Sequence, residues 1–484
     1  MPRRTKIIAT IGPASDEPAT LEAMIEAGMD VARIGLAHGT LDEQMERYRR
    51  VRDAADRVGR PLGILVDLPG PKVRAAKFDD GSGPGQESRE VHLEEGTRLR
   101  LAPGSVRSTP QRVEVEYDQL LDDIHPGDRL MFGDGAVVVA IEEHTGDELV
   151  GTVAHGGRVQ GRPGVHIPSD RLRVSSPTDQ DLKFLDAFVE QGVDMVALSF
   201  VRSAHDVRRV GTEPHPRGPL IIAKIETRAA VDNLDNIIEA SGAIMVARGD
   251  LGEECDLEDL PHLQKDIISR CIALGRPAIT ATQLLESMIH APIPTRAEAT
   301  DVANAVFDGT SAVMLSAETA IGHDPVRVVA TMSRIAQRAD QRFDYEEWAQ
   351  RLTHRQIDER AALDTRVTDT MTMAAWRAAM ETRANAIICI TRSGFTVRAI
   401  ARFRPEARIL AFSPDPRTVR QLTLSWGAVP MRSQAHGTFN AMVDWAVDEA
   451  RRTGHVRSGD VVLVLAGSND VSEATDTLRL VRVR

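Results

Sequence analysis

Residues 219–252 read PLIIAKIETRAAVDNLDNIIEASGAIMVARGDLG. Two short apolar runs, PLIIAKIE from Pro219 and AIMVAR from Ala243, enclose a longer stretch of helical pattern. Runs that are apolar at consecutive positions suit strands buried on both faces, and such strands pair in parallel beneath helices. Working outward, the same unit recurs. KIIATIG begins at Lys6, DVARIGL at Asp30 and LGILVD at Leu62; after a long interruption come DMVALSF at Asp194, PAITAT at Pro277 and SAVMLS at Ser311. Amphipathic segments such as Ala19–Ala27, Leu41–Val58, Gln180–Gln191 and Arg296–Phe307 separate them. Eight such units predict an α/β fold, a closed (β/α)8 TIM barrel rather than an open sheet.

The interruption, about Gly70 to Pro168, differs in character. Turn signals at Asp80-Gly81, His125-Pro126-Gly127-Asp128 and Gly133-Asp134-Gly135 stand among alternating segments such as REVHL, RVEVEY and AVVVAI. This predicts a small inserted β domain, placed over the end of the barrel where a lid would lie. From about Phe343 a charged helical stretch leads into a second α/β region, with strands near Ala386–Ile390, Arg408–Phe412, Asp460–Leu465 and Thr477–Val483. The expected division is barrel 1–69, inserted β domain 70–168, barrel 169–345 and C-terminal α/β domain 346–484.

Composition narrows the function. At 484 residues the chain exceeds one core, and 42% apolar with 27% charged residues is ordinary for a globular protein. A net charge of -12 without a basic stripe argues against nucleic acid as a partner. No run approaches the roughly 18 apolar residues of a membrane span, and the apolar run after MPRRT is cut short by Gly12-Pro13. Cys255, Cys271 and Cys389 have no metal-type spacing, so a reducing cytoplasm is expected. Lysines are only Lys6, Lys72, Lys77, Lys183, Lys224 and Lys265, which gives each more weight.

Polar groups at the C-terminal ends of barrel strands point at the active face. Those ends supply Arg33, Asp67, Ser199, Lys224 with Glu226, Asp250, Thr282, and Ser316 with Glu318. Any one could be a solvated strand end or a salt bridge; together they bring cations, carboxylates and hydroxyls to one mouth. Lys224 and Glu226 are two apart and project to one side of their strand. Glu226 and Asp250, on adjacent strands, could share a hard divalent cation such as Mg2+, which takes one or two protein carboxylates plus substrate oxygens. Gly249 would let a substrate carboxylate approach the backbone. Arg33 and Lys224 would spread the charge of a moving phosphoryl group. The chain has no Walker A sequence and no kinase-type glycine-rich loop, so metal, basic side chains and lid must hold a nucleotide.

With these residues in hand, the chain resembles the pyruvate kinase family from TKIIATIGPAS at Thr5 almost to its end. The most specific blocks are AKIET (Ala223–Thr227), MVARGDLG (Met245–Gly252), ATQLLESM (Ala281–Met288), TRAEATDVANAVFDG (Thr295–Gly309) and MLSAET (Met314–Thr319). The resemblance implies phosphoryl transfer from phosphoenolpyruvate to ADP with Mg2+ or Mn2+, giving an enol that becomes pyruvate. It implies Lys224 as catalytic lysine, Glu226 and Asp250 on the metal, and Thr282 beside the enolate carbon with Ser316 and Glu318 supporting proton delivery. Arg33 and Ser199 would bind phosphate, and the N–H groups of Gly249 and Asp250 the carboxylate. His38, Arg74 and Arg162 would lie on the ADP side. A homotetramer is the family's usual assembly.

The departures are specific. The block after the second strand is ARIGLAHG, with Gly35 and Ala37 where the family has asparagine and serine that bind K+. The further pair is Asp67 and Leu68, so three of the family's four oxygen-bearing side chains are missing. A dehydrated K+ needs several oxygens to replace its water shell. Lys72, in DLPGPKVR, stands where K+-independent members carry lysine, so K+ is expected to be dispensable, with Lys72 beside Asp67 as its tethered substitute. Pro163, Pro69 and Ala317 also depart from the family pattern.

In the C-terminal region, ITRSGFT follows a strand and opens a helix. Thr391, Arg392, Ser393, Gly394 and Thr396, with free helix N-terminal N–H groups, form an expected cradle for a phosphorylated effector; AGSNDVSEATDT departs from the family's effector loop. Trp426 and Met431 are expected to pack or line an interface. Two other readings compete: a paralogue acting on another enol phosphate or nucleotide, and a silent sensor of phosphorylated metabolites.

Overall fold

The computed structural model describes residues 2–79, 90–133, 135–169, 171–353, 363–434, 438–467 and 475–484. The turns expected at Asp80-Gly81 and Asp134, and most of AGSNDVSEATDT, lie outside these residues.

Eight parallel strands close into a barrel: Lys6–Thr10, Val31–Gly35, Gly63–Asp67, Met195–Leu198, Leu220–Ile225, Ala243–Ala247, Ala278–Ala281 and Ala312–Leu315. The first pairs with the last through Ile8 opposite Met314 and with the second through Ile8 opposite Val31. Side chains alternate between two cores, as a strand's period of two requires. Ile8, Val31, Leu65, Met195, Met245, Ile279 and Met314 fill the inside, while Ile7, Ala9, Ile34 and Val66 join the layer beneath the helices. One member of the inner core is foreign: Leu424, from the C-terminal region. Gly63 permits this approach, because a Cβ there would fall 2.7 Å from Thr423 Oγ1 and 3.0 Å from the Arg420 carbonyl.

Helix limits follow local chemistry. Helix Leu41–Val58 begins at Thr40, which forms a reciprocal capping box with Glu43, and ends at Gly59 with φ of 70°. The same box opens Asp179–Glu190 (Thr178 with Asp181) and Arg296–Asp308 (Thr295 with Glu298).

Between the third and fourth barrel strands lie a six-stranded sheet and a two-stranded one. In the larger, Arg129–Phe132, Val137–His144, Leu149–His155 and Arg98–Pro103 pair antiparallel in succession. Phe78, Leu101, Val113, Phe132, Val139 and Val153 form its own core.

The C-terminal sheet has the order Ala428–Arg432, Arg408–Ser413, Ala386–Ile390, Val461–Ala466, Thr477–Arg482, parallel except for the last strand. The strand Ala428–Arg432 was not among the four expected. Pro430 interrupts its pattern, and this strand lies at the sheet edge, where a missing N–H is tolerated. Trp426 is buried in this region's core, and Met431 packs partly buried against it.

Candidate active site

Every strand of the barrel ends at the same mouth, and a chain of contacts runs around it. Arg33 donates through Nε to Asp67 Oδ2 at 2.7 Å and through Nη1 to Thr10 Oγ1 at 2.9 Å. On the other side of Asp67, its Oδ1 lies 3.5 Å from Lys224 Nζ. Lys224 also donates to Ser199 Oγ at 2.7 Å and pairs with Glu226 Oε1 at 2.7 Å. The Ser199 hydroxyl in turn donates a hydrogen bond to the Leu68 carbonyl at 2.7 Å. Arg33, Asp67, Ser199, Lys224 and Glu226 are thus one network. Ser199 serves here as a brace for the lysine.

Electrostatics sharpen the picture. Burial would lower the Lys224 pKa, but Asp67, Glu226 and Asp250 outweigh it and raise it, so the side chain stays an ammonium. Burial would raise Asp67, but Lys224 and Arg33 hold it below the ordinary carboxylate value. Glu226 moves the other way. Burial raises it, Lys224 opposes, and repulsion from Asp250 adds to the rise. Its Oε2 accepts from the Phe200 N–H at 2.6 Å, and its Oε1 is buried against the Lys224 ammonium at 2.7 Å.

That combination is the test of a metal. Repulsion from Asp250 contributes to the rise of Glu226, and a divalent cation held by both carboxylates would turn that repulsion into attraction. Among the described residues no group of three or more His, Cys, Asp or Glu side chains could form a cage. Two carboxylates with substrate oxygens and water suit a hard dication.

The proton side is equally ordered. Thr282, with φ of 66°, accepts from the Gly249 N–H at 2.9 Å and donates to the Ala281 carbonyl at 2.7 Å. Arg248 holds this unusual backbone, donating to the Thr282 carbonyl at 2.5 Å while Asp301 grips its Nη1 through both oxygens at 2.8 and 2.9 Å. Glu318 accepts from the N–H of Ser316 at 2.6 Å and of Leu285 at 3.2 Å, and burial raises its pKa. The N–H of Gly249, expected to meet a substrate carboxylate, is therefore engaged by Thr282 in this state.

A second group faces the inserted domain across a cleft lined by Lys72, Phe200, His166, Asp250, Glu253 and Glu254 among others. Lys72 is exposed, and its Nζ lies 3.8 Å from the place a Cβ would take at Gly164. It is not the cation that meets Asp67; Arg33 and Lys224 are. The backbone explains this, since the Lys72 segment has already turned toward the inserted sheet, where neighbouring Arg74 bridges to Gly164. His38 is lowered by burial and then by the charges of Arg74 and Lys72, so these three share one electropositive rim. Arg162 is tied to Glu116, and its carbonyl accepts from Arg74.

The effector-loop residues lie in the separate C-terminal region. Two of the loop's N–H groups are used locally: Gly394 N–H donates to Thr391 Oγ1 at 3.0 Å and Phe395 N–H to Ser393 Oγ at 3.4 Å. Thr396 Oγ1 meets Thr475 Oγ1 at 2.6 Å, and the Arg392 carbonyl accepts from Thr418.

Sequence reading missed Thr10, the Arg248–Asp301 strap and the clamp between the inserted domain and the barrel. In that clamp His166 lies 3.3 Å from Glu253 and 3.2 Å from Glu254, and Ser169 Oγ donates to Glu254 at 2.6 Å. Thr10 was readable, because it ends a barrel strand like the rest. The others pair residues far apart in the chain.

Comparison with known proteins follows the same division. A family model described as "Pyruvate kinase, barrel domain" matches residues 2–329, and one described as "Pyruvate kinase, alpha/beta domain" matches residues 369–481. The chain is 40% identical over 473 residues to a pyruvate kinase of Geobacillus stearothermophilus, covering 96% of this chain and 78% of that one. It is 38% identical to one of Bacillus licheniformis, covering 99% and 80%. One of Clostridium acetobutylicum is 36% identical, covering 99% of both chains.

Proposed function

The chain belongs to the pyruvate kinase family and is a phosphotransferase that makes pyruvate and ATP from phosphoenolpyruvate and ADP; from this premise we propose the residue roles, the metal and the cation requirement. A paralogue with another substrate and a silent sensor are the less favoured readings. The observation that supports the roles most is the seat of Lys224, an ammonium braced by Ser199, Asp67 and Glu226 at the centre of the mouth.

The family uses a divalent metal, and here the ion is Mg2+, held by Glu226 and Asp250. When bound, it supplies positive charge to the phosphoryl and enolate oxygens. Lys224 and Arg33 stabilise the charge that spreads over the phosphoryl oxygens during transfer. Because both cations are already fixed by Asp67, little reorganisation is needed as that charge develops. Thr282 stands at the enolate carbon and hands on a proton through a chain that Ser316 and Glu318 position. Gly249 N–H leaves Thr282 Oγ1 and turns to the substrate carboxylate, which frees that hydroxyl. His38, Arg74 and Arg162 face the ADP phosphates, Arg162 on release from Glu116. The loop from Thr391 to Thr396, which opens a helix, takes a phosphorylated effector.

K+ is dispensable in this reading. Gly35, Ala37 and Leu68 offer no side-chain oxygen, and a Cβ at Gly35 would sit 3.8 Å from Arg33 Nη2, so guanidinium already borders the place where a ligand would stand. Lys72 adds its charge there when the inserted domain closes. The same reading takes the division at 70, 168 and 345, a homotetramer and a cytoplasmic setting. Among the described residues no helix is long and apolar enough to cross a membrane.

The experiment is pyruvate formation from phosphoenolpyruvate and ADP with Mg2+ in buffer freed of K+ and NH4+. Full turnover is expected, with Lys72→Glu becoming dependent on added K+. A many-fold rise of the unmodified enzyme on adding K+ would sink the cation proposal and leave the phosphotransferase intact.

A further inference from the structure

The chain crosses between barrel and inserted domain twice, outward at 68–71 and back at 172–176. Both crossings rest on one short loop, 199–202, which follows the barrel strand Met195–Leu198. On the outward side, the Leu68 carbonyl accepts from Ser199 Oγ at 2.7 Å. Gly70, with φ of 67°, packs so closely that a Cβ there would fall 2.9 Å from Ser199 Cβ and from Phe200 Cδ2. On the return side, Arg202 donates through Nη1 to the Leu172 carbonyl at 2.8 Å and through Nη2 to the Val174 carbonyl at 2.9 Å. Ser176 Oγ adds a bond to the Ser199 carbonyl at 2.5 Å.

The return segment belongs to both sides. The Leu172 and Val174 side chains pack against the core of the inserted sheet, and Arg173 pairs with Asp123 of that domain at 2.8 Å. The carbonyls of Leu172 and Val174 are held by the barrel through one guanidinium, whose planar fork sets two acceptors in fixed geometry. The loop that carries Arg202 also serves the mouth. Ser199 Oγ accepts from Lys224, and the Phe200 N–H donates to Glu226. Phe200 has φ of 54°, a conformation that a bulky residue keeps only where its surroundings enforce it. Beyond it, the N–H groups of Arg202 and Ser203 both donate to the buried Asp206 carboxylate, at 2.8 and 3.0 Å, which fixes the far end of the loop.

We propose that Arg202 is a positioning residue for phosphoryl transfer. It sets the return segment of the inserted domain against the loop that seats Lys224 and Glu226, so that the nucleotide side and the phosphoryl side of the cleft are brought into register. The inference rests on the roles given above to Lys224, Glu226, Arg74 and Arg162. Arg202 acts through Ser199 and Phe200 on its own loop and through Leu172 and Val174 on the other side. In that reading Arg74 and Arg162 meet ADP from the inserted domain, whereas phosphoenolpyruvate is held by the barrel. Loss of the fork therefore weakens the grip on ADP more than that on phosphoenolpyruvate.

The test is steady-state pyruvate formation by the full chain from phosphoenolpyruvate and ADP with Mg2+. Arg202→Gln can serve only one of the two carbonyls at a time with good geometry. Its kcat/KM for ADP should fall about a hundredfold, the scale of a misplacement of about 1 Å. That fall should include a raised KM for ADP. Arg202→Lys, which keeps the charge without the fork, should lie between Arg202→Gln and the parent. A merely structural role would reduce the folded fraction, and so kcat, without moving either KM. A KM for ADP within twofold of the parent in Arg202→Gln therefore overturns the proposal, whatever happens to kcat. Should Arg202→Gln not fold, Arg202→Lys decides by the same criterion. The two readings fail apart: a Lys224→Met enzyme that keeps its turnover removes the lysine's role, whereas an unmoved KM for ADP removes that of Arg202.

Discussion

The barrel mouth and the junction beneath the C-terminal region both bury several cations, yet they treat them in opposite ways. At the mouth, Arg33 and Lys224 each touch Asp67, and Lys224 also touches Glu226. At the junction, Arg404 rests on aromatic faces and backbone carbonyls, while Arg402 pairs with the Asp369 carboxylate. A paired cation is locked in place and keeps its charge, which suits chemistry on a moving phosphoryl group. Burial pushes the pKa of Arg404 down to about 10, and Asp340 and Tyr345 offset that only in part.

The comparison can be broken at its strongest point first. Lys224→Met should cut turnover about a thousandfold or more, the scale of removing a cation from a phosphoryl-transfer site, while the far-ultraviolet spectrum stays unchanged. A tenfold loss would mean that the paired ammonium is structural only.

Next in size is Asp67→Asn. It strips the shared carboxylate from two buried cations and should cost roughly 3–5 kcal/mol of stability in urea unfolding. A cost below about 1 kcal/mol would show that the two cations do not depend on it.

A third effect concerns the clamp between inserted domain and barrel. Burial alone would lower His166, but the hydrogen bond to Glu254 and the charges of Glu253, Glu254 and Asp250 outweigh it and raise its pKa above 6.5. A raised native value means that the stabilisation is complete below the unfolded pKa and fades as pH rises through the native one. The urea midpoint of the unmodified protein should therefore exceed that of His166→Gln at pH 6, by about 1 kcal/mol in stability. The gap should close at alkaline pH; a constant gap would remove the charge from the account.

The smallest expected effect compares two hydroxyls. Ser199 Oγ has two partners, Lys224 and the Leu68 carbonyl, whereas Ser425 Oγ has none. In urea unfolding Ser199→Ala should cost about 1–3 kcal/mol and Ser425→Ala close to zero. Equal costs for the two serines would erase the distinction between the regions.

The sequence exposed the first region far better than the second, for physical reasons. Barrel strands announce themselves as runs apolar at consecutive positions, and the ends of those runs mark the mouth, so Arg33, Asp67, Lys224, Glu226 and Thr282 could be read from position alone. Thr10 obeys the same rule and was passed over. Lys72 shows the limit of that rule. Its place in the chain sets its neighbourhood, but the turn of the following segment decides what its side chain meets. The junction has no such grammar. Arg402 and Arg404 sit in an unremarkable amphipathic stretch, and Arg276 arrives from the loop before a barrel strand more than a hundred residues earlier. They come together only after two separate cores have packed. Pro430 hid an edge strand for the opposite reason, since the usual veto on proline in sheets does not hold at an edge.

The Leu424 side chain, seated inside the barrel's lower core, has a bearing on how such a gene can be rearranged. A chain that exchanged its C-terminal region for an unrelated module would lose the stopper of its catalytic barrel along with any regulatory loop. The inserted β-sheet, with a hydrophobic core of its own, is the segment that recombination can trade, resize or reshape while the rest of the protein stays intact.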